Sequence, residues 1–267
     1  MNIAKNYYNE VNQNPLQNAQ KIIPLGGFSI LSITANALIQ QLATALDTGE
    51  QHTLFFANTN FIVKCQSLQT QMLTHNTLII NDGIGLDIAT WLIHREKFPE
   101  NLAGTDFIPQ YFATVGNKAR IFLFGAKPGI AIRAASALME NCEVNIVGTC
   151  DGYQQASDSK KLIAEMNAAK ANIILVAMGN PAQEKWILEN RHQLDAPVLV
   201  GVGALLDFLA GDKPRAPNLV RKLRLEWFYR LCLEPTRLMR RYTIDILVFL
   251  TLCLRTEKLR KNSIKAL

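Results

Sequence analysis

This sequence has little from which to build a metal centre or a disulfide framework. Its five cysteines (Cys65, Cys142, Cys150, Cys232, Cys253) are odd in number, scattered and without a Cys-x-x-Cys pair, so they read as reduced core thiols. The four histidines, His52, His75, His94 and His192, have no His or Cys partner at ligand spacing; they read as surface or structural residues, and no metal site is expected. A spanning helix needs about 20 apolar residues. The longest apolar run, Ile246 to Leu254, is closed by Asp245 and Arg255. Residues 1–20 lack an apolar h-region and are Asn/Gln-rich, which predicts a flexible leader and a cytoplasmic protein. Neither G-x-G-x-x-G nor G-x-x-x-x-G-K-[ST] occurs, which demotes nicotinamide chemistry and ATP hydrolysis.

Acidic residues are scarce at one end. From Lys213 onward there are 14 Lys and Arg against 4 Asp and Glu, whereas the whole chain carries +6, so residues 1–212 are net acidic. The asymmetry predicts a polyanionic partner for the tail: lipid headgroups, a pyrophosphate or nucleic acid. Nucleic-acid binding would be salt-sensitive and lipid-independent. Trp227, Phe228, Tyr229 and the apolar run favour lipid, and no nucleic-acid partner is expected. The run itself reads either as a helix docked on its own core or as an interfacial helix facing anionic headgroups. Arg230, Arg237 and Arg240, seven and then three residues apart, would share one face of a continuous helix. Pro235 is a candidate break, and Glu226 an i,i+4 partner for Arg230.

What is present in quantity is apolar. At 267 residues and 49% hydrophobic, the chain can bury one substantial core. The expected organisation is a leader over 1–20, an α/β core over 21–212 and a helical basic appendage over 213–267, with the Lys213-Pro-Arg-Ala-Pro217 hinge between the last two. Runs 54–57, 78–81, 120–125, 144–150, 172–178 and 198–203 read as strands covered on both faces, alternating with helical stretches such as Pro128 to Glu140 and Ser157 to Lys170. This alternation predicts a Rossmann-like, mostly parallel sheet with helices on both faces and ligands at the carboxyl ends of the strands.

Polar and glycine residues collect where those strands end. Asp82, on a turn before a Gly-containing helix start, suits either a general base or a helix cap. In Gly179 to Glu184, Asn180 as N-cap, Pro181 and Gln183 make a capping box, and the same helix start suits an anion. Gly125 to Gly129 carries the same two readings, with Lys127 as a phosphate counter-charge.

Taken in order, Asp82-Gly-Ile-Gly, Gly148-Thr-Cys-Asp-Gly-Tyr153, Gly179-Asn-Pro-Ala-Gln-Glu184, Gly201-Val-Gly-Ala, Asp207-Phe-Leu-Ala-Gly211, Arg215-Ala-Pro217, Leu225-Glu-Trp-Phe-Tyr-Arg-Leu231 and Glu234-Pro-Thr-Arg237 resemble the signature of the WecG/TagA/CpsF glycosyltransferases. The resemblance runs from about Leu54 to Tyr242. It implies inverting, metal-independent and cofactor-free transfer of an N-acetylmannosamine-type sugar from a UDP-sugar to undecaprenyl-diphosphate-linked N-acetylglucosamine, at the inner face of the cytoplasmic membrane. A homo-oligomer off the membrane is compatible with it. The resemblance implies that Asp82 is the base, that Asn58 and Gln183 line the pocket, and that Arg230, Arg237 and Arg240 come from a membrane-contacting appendage that completes the site. Asn60, Gly83, Gly125, Lys127, Asp151, Gly179, Glu184 and Arg215 complete the expected substrate-binding set. The lack of an Asp-x-Asp motif agrees with metal independence. Phe56 stands where the wall-teichoic-acid branch has threonine, so a hydroxyl contact is missing; Gly148 to Tyr153 and Val176 to Gly179 look closer to the branch using UDP-N-acetylmannosaminuronic acid. Transfer of another UDP-hexose, or nucleotide-sugar binding without catalysis at the membrane, are the alternatives.

Overall fold

The computed structural model describes residues 21–74, 76–153, 158–217, 219–220 and 225–265; the leader and His75 lie outside them. Eight strands form one sheet: β1 (Ile22–Leu25), β2 (Phe28–Leu31), β3 (His52–Ala57), β4 (Thr77–Asn81), β5 (Arg120–Gly125), β6 (Asn145–Cys150), β7 (Ile173–Ala177) and β8 (Val198–Gly201). Their order is β1-β2-β4-β3-β8-β7-β5-β6, and every pairing but β1 with β2 is parallel. The six expected runs all fall on strands. Every residue of β3, β4, β7 and β8 is buried, which is why they are apolar without alternation, while β6 stands at an edge and is only partly covered. The hairpin β1–β2 was not anticipated from the sequence. Its turn is Gly26-Gly27, with φ of 57° and 90°, a left-handed pair that only glycine takes easily.

Helices cover both faces. On one side lie α1 (Ala35–Thr48), α5 (Gly104–Val115), α6 (Ile130–Asn141) and α9 (Leu205–Leu209), packed on Leu54, Phe56, Leu78, Leu123 and Leu175. On the other lie α2 (Thr59–Lys64), α3 (Gln69–Met72), α4 (Ile84–His94), α7 (Ser159–Ala168) and α8 (Ala182–Asn190), packed on Phe55, Ile79, Phe122, Ile174 and Leu199. Odd and even strand residues thus feed opposite layers, as pleating demands. The missing hydroxyl at position 56 takes a different meaning here. Phe56 faces the α5 layer, against Gly104 and Phe107, so its side chain is core and not strand-end rim.

Among the described residues α10 (Glu226–Leu233), α11 (Pro235–Tyr242) and α12 (Ile244–Lys265) follow. The chain breaks at Glu234 (φ −132°, ψ 62°) and Pro235 opens α11, so Arg230 and the pair Arg237 and Arg240 occupy different helices and no continuous arginine face forms. The self-docked reading of the apolar run holds in part. Phe249 and Cys253 of α12 are buried in the core layer that holds α2 and α4, while Leu247, Val248 and Leu254 remain exposed. All five cysteines are free, but only Cys65, Cys150 and Cys253 are core thiols; Cys142 is half-buried and Cys232 exposed. Among the described residues no helix is long and apolar enough to cross a membrane.

Candidate active site

The carboxyl ends of β4, β3, β8, β7 and β5 lie side by side, and the residues singled out above sit on the loops that leave them. After β3, Asn58 is the N-cap of α2, its Oδ1 accepting from the Phe61 N–H at 3.1 Å. Its remaining amide, Nδ2, donates to Asp82 Oδ2 at 3.4 Å. The Asp82 N–H donates to the Ala57 carbonyl at 2.7 Å, which ties the ends of β3 and β4 together. The cap reading of Asp82 is displaced by one residue: Gly83 is the N-cap of α4, with φ 94°, and Asp82 stands outside the helix, half-buried. The first turn of α4 is pressed against α2, since a Cβ on Gly85 would meet Thr59 Cγ2 at 2.5 Å.

A residue that the motifs did not single out holds this turn. The Gly83 N–H donates to Asn101 Oδ1 at 2.6 Å, while Asn81 Nδ2 donates to the Glu100 carbonyl at 2.9 Å. Asn101 lies 18 residues on, in a loop, and no local pattern in the sequence marks it.

Beneath the loops of β7 and β8 lies one buried carboxylate. Glu184 is 1% exposed and Gln183 3%. Glu184 Oε1 accepts from Asn180 Nδ2 at 2.6 Å and from Gln183 Nε2 at 2.8 Å. Asn180 Oδ1 accepts in turn from Asn60 Nδ2 at 3.1 Å, and Gln183 Oε1 accepts from the N–H groups of Gly179 (3.1 Å) and Gly203 (2.9 Å). The loops after β7 and β8 therefore hang on one side-chain pair, and the first turn of α2 joins them through Asn180. Burial raises the Glu184 carboxyl above its ordinary value, and burial first, then the Glu184 charge, pushes the neighbouring Cys65 thiol up. The expected capping box is thereby corrected. The N-cap of α8 is Pro181, and the Asn180 amide turns instead to Glu184. Gln183 and Glu184 form the floor under the site; Asn58, Asp82 and Gly83 are at its rim.

The glycine loop after β5 is a separate place. The connections leaving β5 and β7 run in opposite directions, toward β6 and β8, which makes this the strand-order reversal at which sheets of this kind form a ligand crevice. Gly125 has φ 118°, and a Cβ there would meet the Ala177 carbonyl oxygen at 2.4 Å, so the two strands close only around glycine. Lys127 is exposed beside the crevice, and Asp151 Oδ1 accepts from the Tyr153 N–H at 2.8 Å. With four strand spacings between β4 and β5, Asp82 and Lys127 are separated by about 19 Å.

The remaining residues tie the C-terminal segment to the core. Arg215 donates to Asp106 Oδ1 at 2.8 Å and Thr105 Oγ1 at 3.2 Å, at the start of α5. Arg230 lies over the Phe208 ring at 4.7 Å and pairs with Glu226 at 2.9 Å. Phe208 belongs to α9, which leaves β8, so this contact brings Arg230 to the strand-end side of the core. Arg240 is exposed on α11, and the side chain of Arg237 lies outside the described residues.

Comparison with known proteins gives two findings. A family model described as "Glycosyl transferase WecG/TagA/CpsF family" matches residues 23–263. The chain is also similar, 34% identical over 194 residues covering 72% of this chain and 73% of the relative, to the N-acetylglucosaminyldiphosphoundecaprenol N-acetyl-beta-D-mannosaminyltransferase of Bacillus subtilis (strain 168).

Proposed function

The chain belongs to the WecG/TagA/CpsF family of glycosyltransferases, and from that premise we propose that it moves an N-acetylmannosamine-type sugar from a UDP-sugar to polyprenyl-diphosphate-linked N-acetylglucosamine, with inversion and without a metal or other cofactor. The observation that carries this reading is the Asp82 carboxylate, fixed against Asn58 at the ends of two buried neighbouring strands. A base must be oriented before it can act, and both strand ends orient this one.

In the proposed step an acceptor hydroxyl oxygen attacks the donor's anomeric carbon as Asp82 takes its proton. The bond from that carbon to UDP breaks on the opposite face and UDP leaves with the electron pair. The crevice between β5 and β7, with Gly125, Lys127 and Gly179 on its edges, suits the nucleotide. A nucleotide sugar of roughly 15–20 Å would reach from there towards Asp82. Arg230, held on the strand-end side, is suited to the diphosphate, with Arg237 and Arg240 joining it from α11. The acceptor's lipid puts the reaction at a membrane, where the basic appendage meets the inner face.

The test is transfer of radiolabelled sugar from UDP-N-acetylmannosamine, UDP-N-acetylmannosaminuronic acid and UDP-N-acetylglucosamine to a short-chain polyprenyl-diphosphate N-acetylglucosamine, with and without chelator, the product anomer being read by NMR. One mannosamine-type donor, an inverted anomer and indifference to chelator are expected. A retained anomer, or UDP bound with no transfer from any donor, would overturn the mechanism or the enzymatic reading respectively.

A further inference from the structure

We propose that the outer face of α4 is the seat of the acceptor's isoprenoid chain, an inference that rests on the lipid-linked acceptor proposed above. α4 starts two residues after Asp82. It buries Leu86, Ala89 and Thr90 towards the sheet, as a helix packed on a core does. It nevertheless turns three large apolar side chains outward: Ile88, Trp91 and Leu92 are 49%, 48% and 47% exposed. They stand at i, i+3 and i+4, so they form one stripe. With Asp87, Lys97 and Phe98 they line an open groove of about 560 Å³.

Length selects the occupant. At 1.5 Å per residue, Ile88 lies about 9 Å along the helix from Asp82 and Leu92 about 15 Å. In the acceptor, a sugar ring and two phosphates separate the reacting hydroxyl from the first isoprene carbon by roughly 10 Å. With the hydroxyl at Asp82, the hydrocarbon begins level with Ile88, where the apolar stripe begins. Trp91 alone suits the face of a base or a sugar, but the isoleucine and leucine beside it offer a hydrogen bond to neither, whereas a branched hydrocarbon gains its burial along the whole stripe. Cations flank the stripe at its far end: Arg95 lies over the Trp91 ring at 5.0 Å, and Lys97 lines the groove. The neighbouring α12, packed beside α4, also exposes Leu247, Leu254 and Leu259.

The experiment uses the full chain and the double variant Ile88→Ser/Leu92→Ser, whose positions are exposed and whose fold is checked by thermal midpoint. Two acceptors carry the same sugar diphosphate, one on a long isoprenoid in detergent and one on a methyl ester. The variant is expected to raise KM about tenfold for the isoprenoid acceptor, to keep kcat, and to leave the methyl acceptor unchanged. In parallel, a benzophenone-bearing farnesyl diphosphate should crosslink to the peptide spanning residues 88–98 in the wild type and not in the variant. Equal losses on both acceptors, no loss on either, or crosslinks only elsewhere would overturn the proposal. So would a loss confined to acceptor in vesicles, which would make α4 a membrane-docking face, or a change in sedimenting mass, which would make it an interface between copies. If the wild type transferred to neither acceptor, the proposed function would fail, and the crosslink would still decide what the groove binds.

Discussion

The floor beneath the strand ends and the C-terminal helices α10 to α12 lie on opposite sides of one question, namely what keeps a polar residue in place. On the floor, Asn60, Asn180, Gln183 and Glu184 are chained by side-chain hydrogen bonds that also take up the N–H groups of Gly179 and Gly203, with Gln183 and Glu184 fully buried and the two asparagines half-buried. On α10 and α11 the large side chains Trp227, Phe228, Leu233 and Met239 are exposed, and among the described residues Leu238 is the one fully buried side chain there. The floor is a network that would cost free energy to leave half made. The tail is a surface whose aromatic and basic residues return little to the fold of this chain alone. Residues that stand out equally in sequence are therefore held inside the fold in one case and left on its surface in the other.

Substitutions can break that contrast. The largest effect is expected at the rim, where Asp82→Asn keeps the shape and the Asn58 neighbour but removes the base; kcat should fall about 10²- to 10⁴-fold with the thermal midpoint unchanged. Near-normal initial rates would remove Asp82 from that role. Next comes Phe249→Ala, at the one place where the tail is truly core. A loss of about 3–5 kcal/mol is expected, and hydrogen exchange should show it first in α12. Uniform loss across the sheet would mean that tail and core unfold as one unit.

Arg230→Ala sharpens the comparison from the tail side. A fall in kcat/KM of about 10- to 100-fold is expected, with little change in denaturant midpoint, because its ion pair with Glu226 is partly exposed. Equal losses of stability and activity would make it a structural residue. Truncating the chain at Gly211 is a poorer test, since it would strip Phe249 and Cys253 from the core layer.

The smallest effect is a pH dependence on the floor. Burial raises the Glu184 carboxyl above its ordinary value, so the stability it contributes is complete below that ordinary value and is lost as pH rises through the raised one. Glutamine does not titrate. The thermal midpoint of Glu184→Gln should therefore climb relative to wild type as pH rises above the ordinary carboxylate range. Parallel curves would show that the carboxyl is not protonated in the fold.

Particular residues show how far the sequence could be read. The run Arg120 to Gly125 is a strand to the residue, because a buried parallel strand must be apolar on both faces. The hairpin at Gly26-Gly27 carries a legible turn signal between two short apolar runs; that its second strand pairs with β4 and so joins the hairpin to the sheet is not legible locally. Asp82 and Asn58 were legible as strand-end residues; their contact was not, since they are 24 positions apart. Glu184 was legible only as a polar residue of a motif, and its burial under the strand-end loops depends on which strands are neighbours.

The sequence by itself determined the layered α/β sheet, the place of the site at its carboxyl edge and the division between an acidic body and a basic tail. These follow from hydrophobic periodicity and charge, which are local properties that every stretch of chain carries alone. Only the tertiary structure decided that Phe56 faces the core, that Gln183 and Glu184 lie under the site, that Asn101 holds the Gly83 turn, and that α12 is half docked while α4 shows three apolar side chains to the outside. Each of those depends on strand order and helix packing, through contacts between segments whose separation in sequence carries no signal of their meeting.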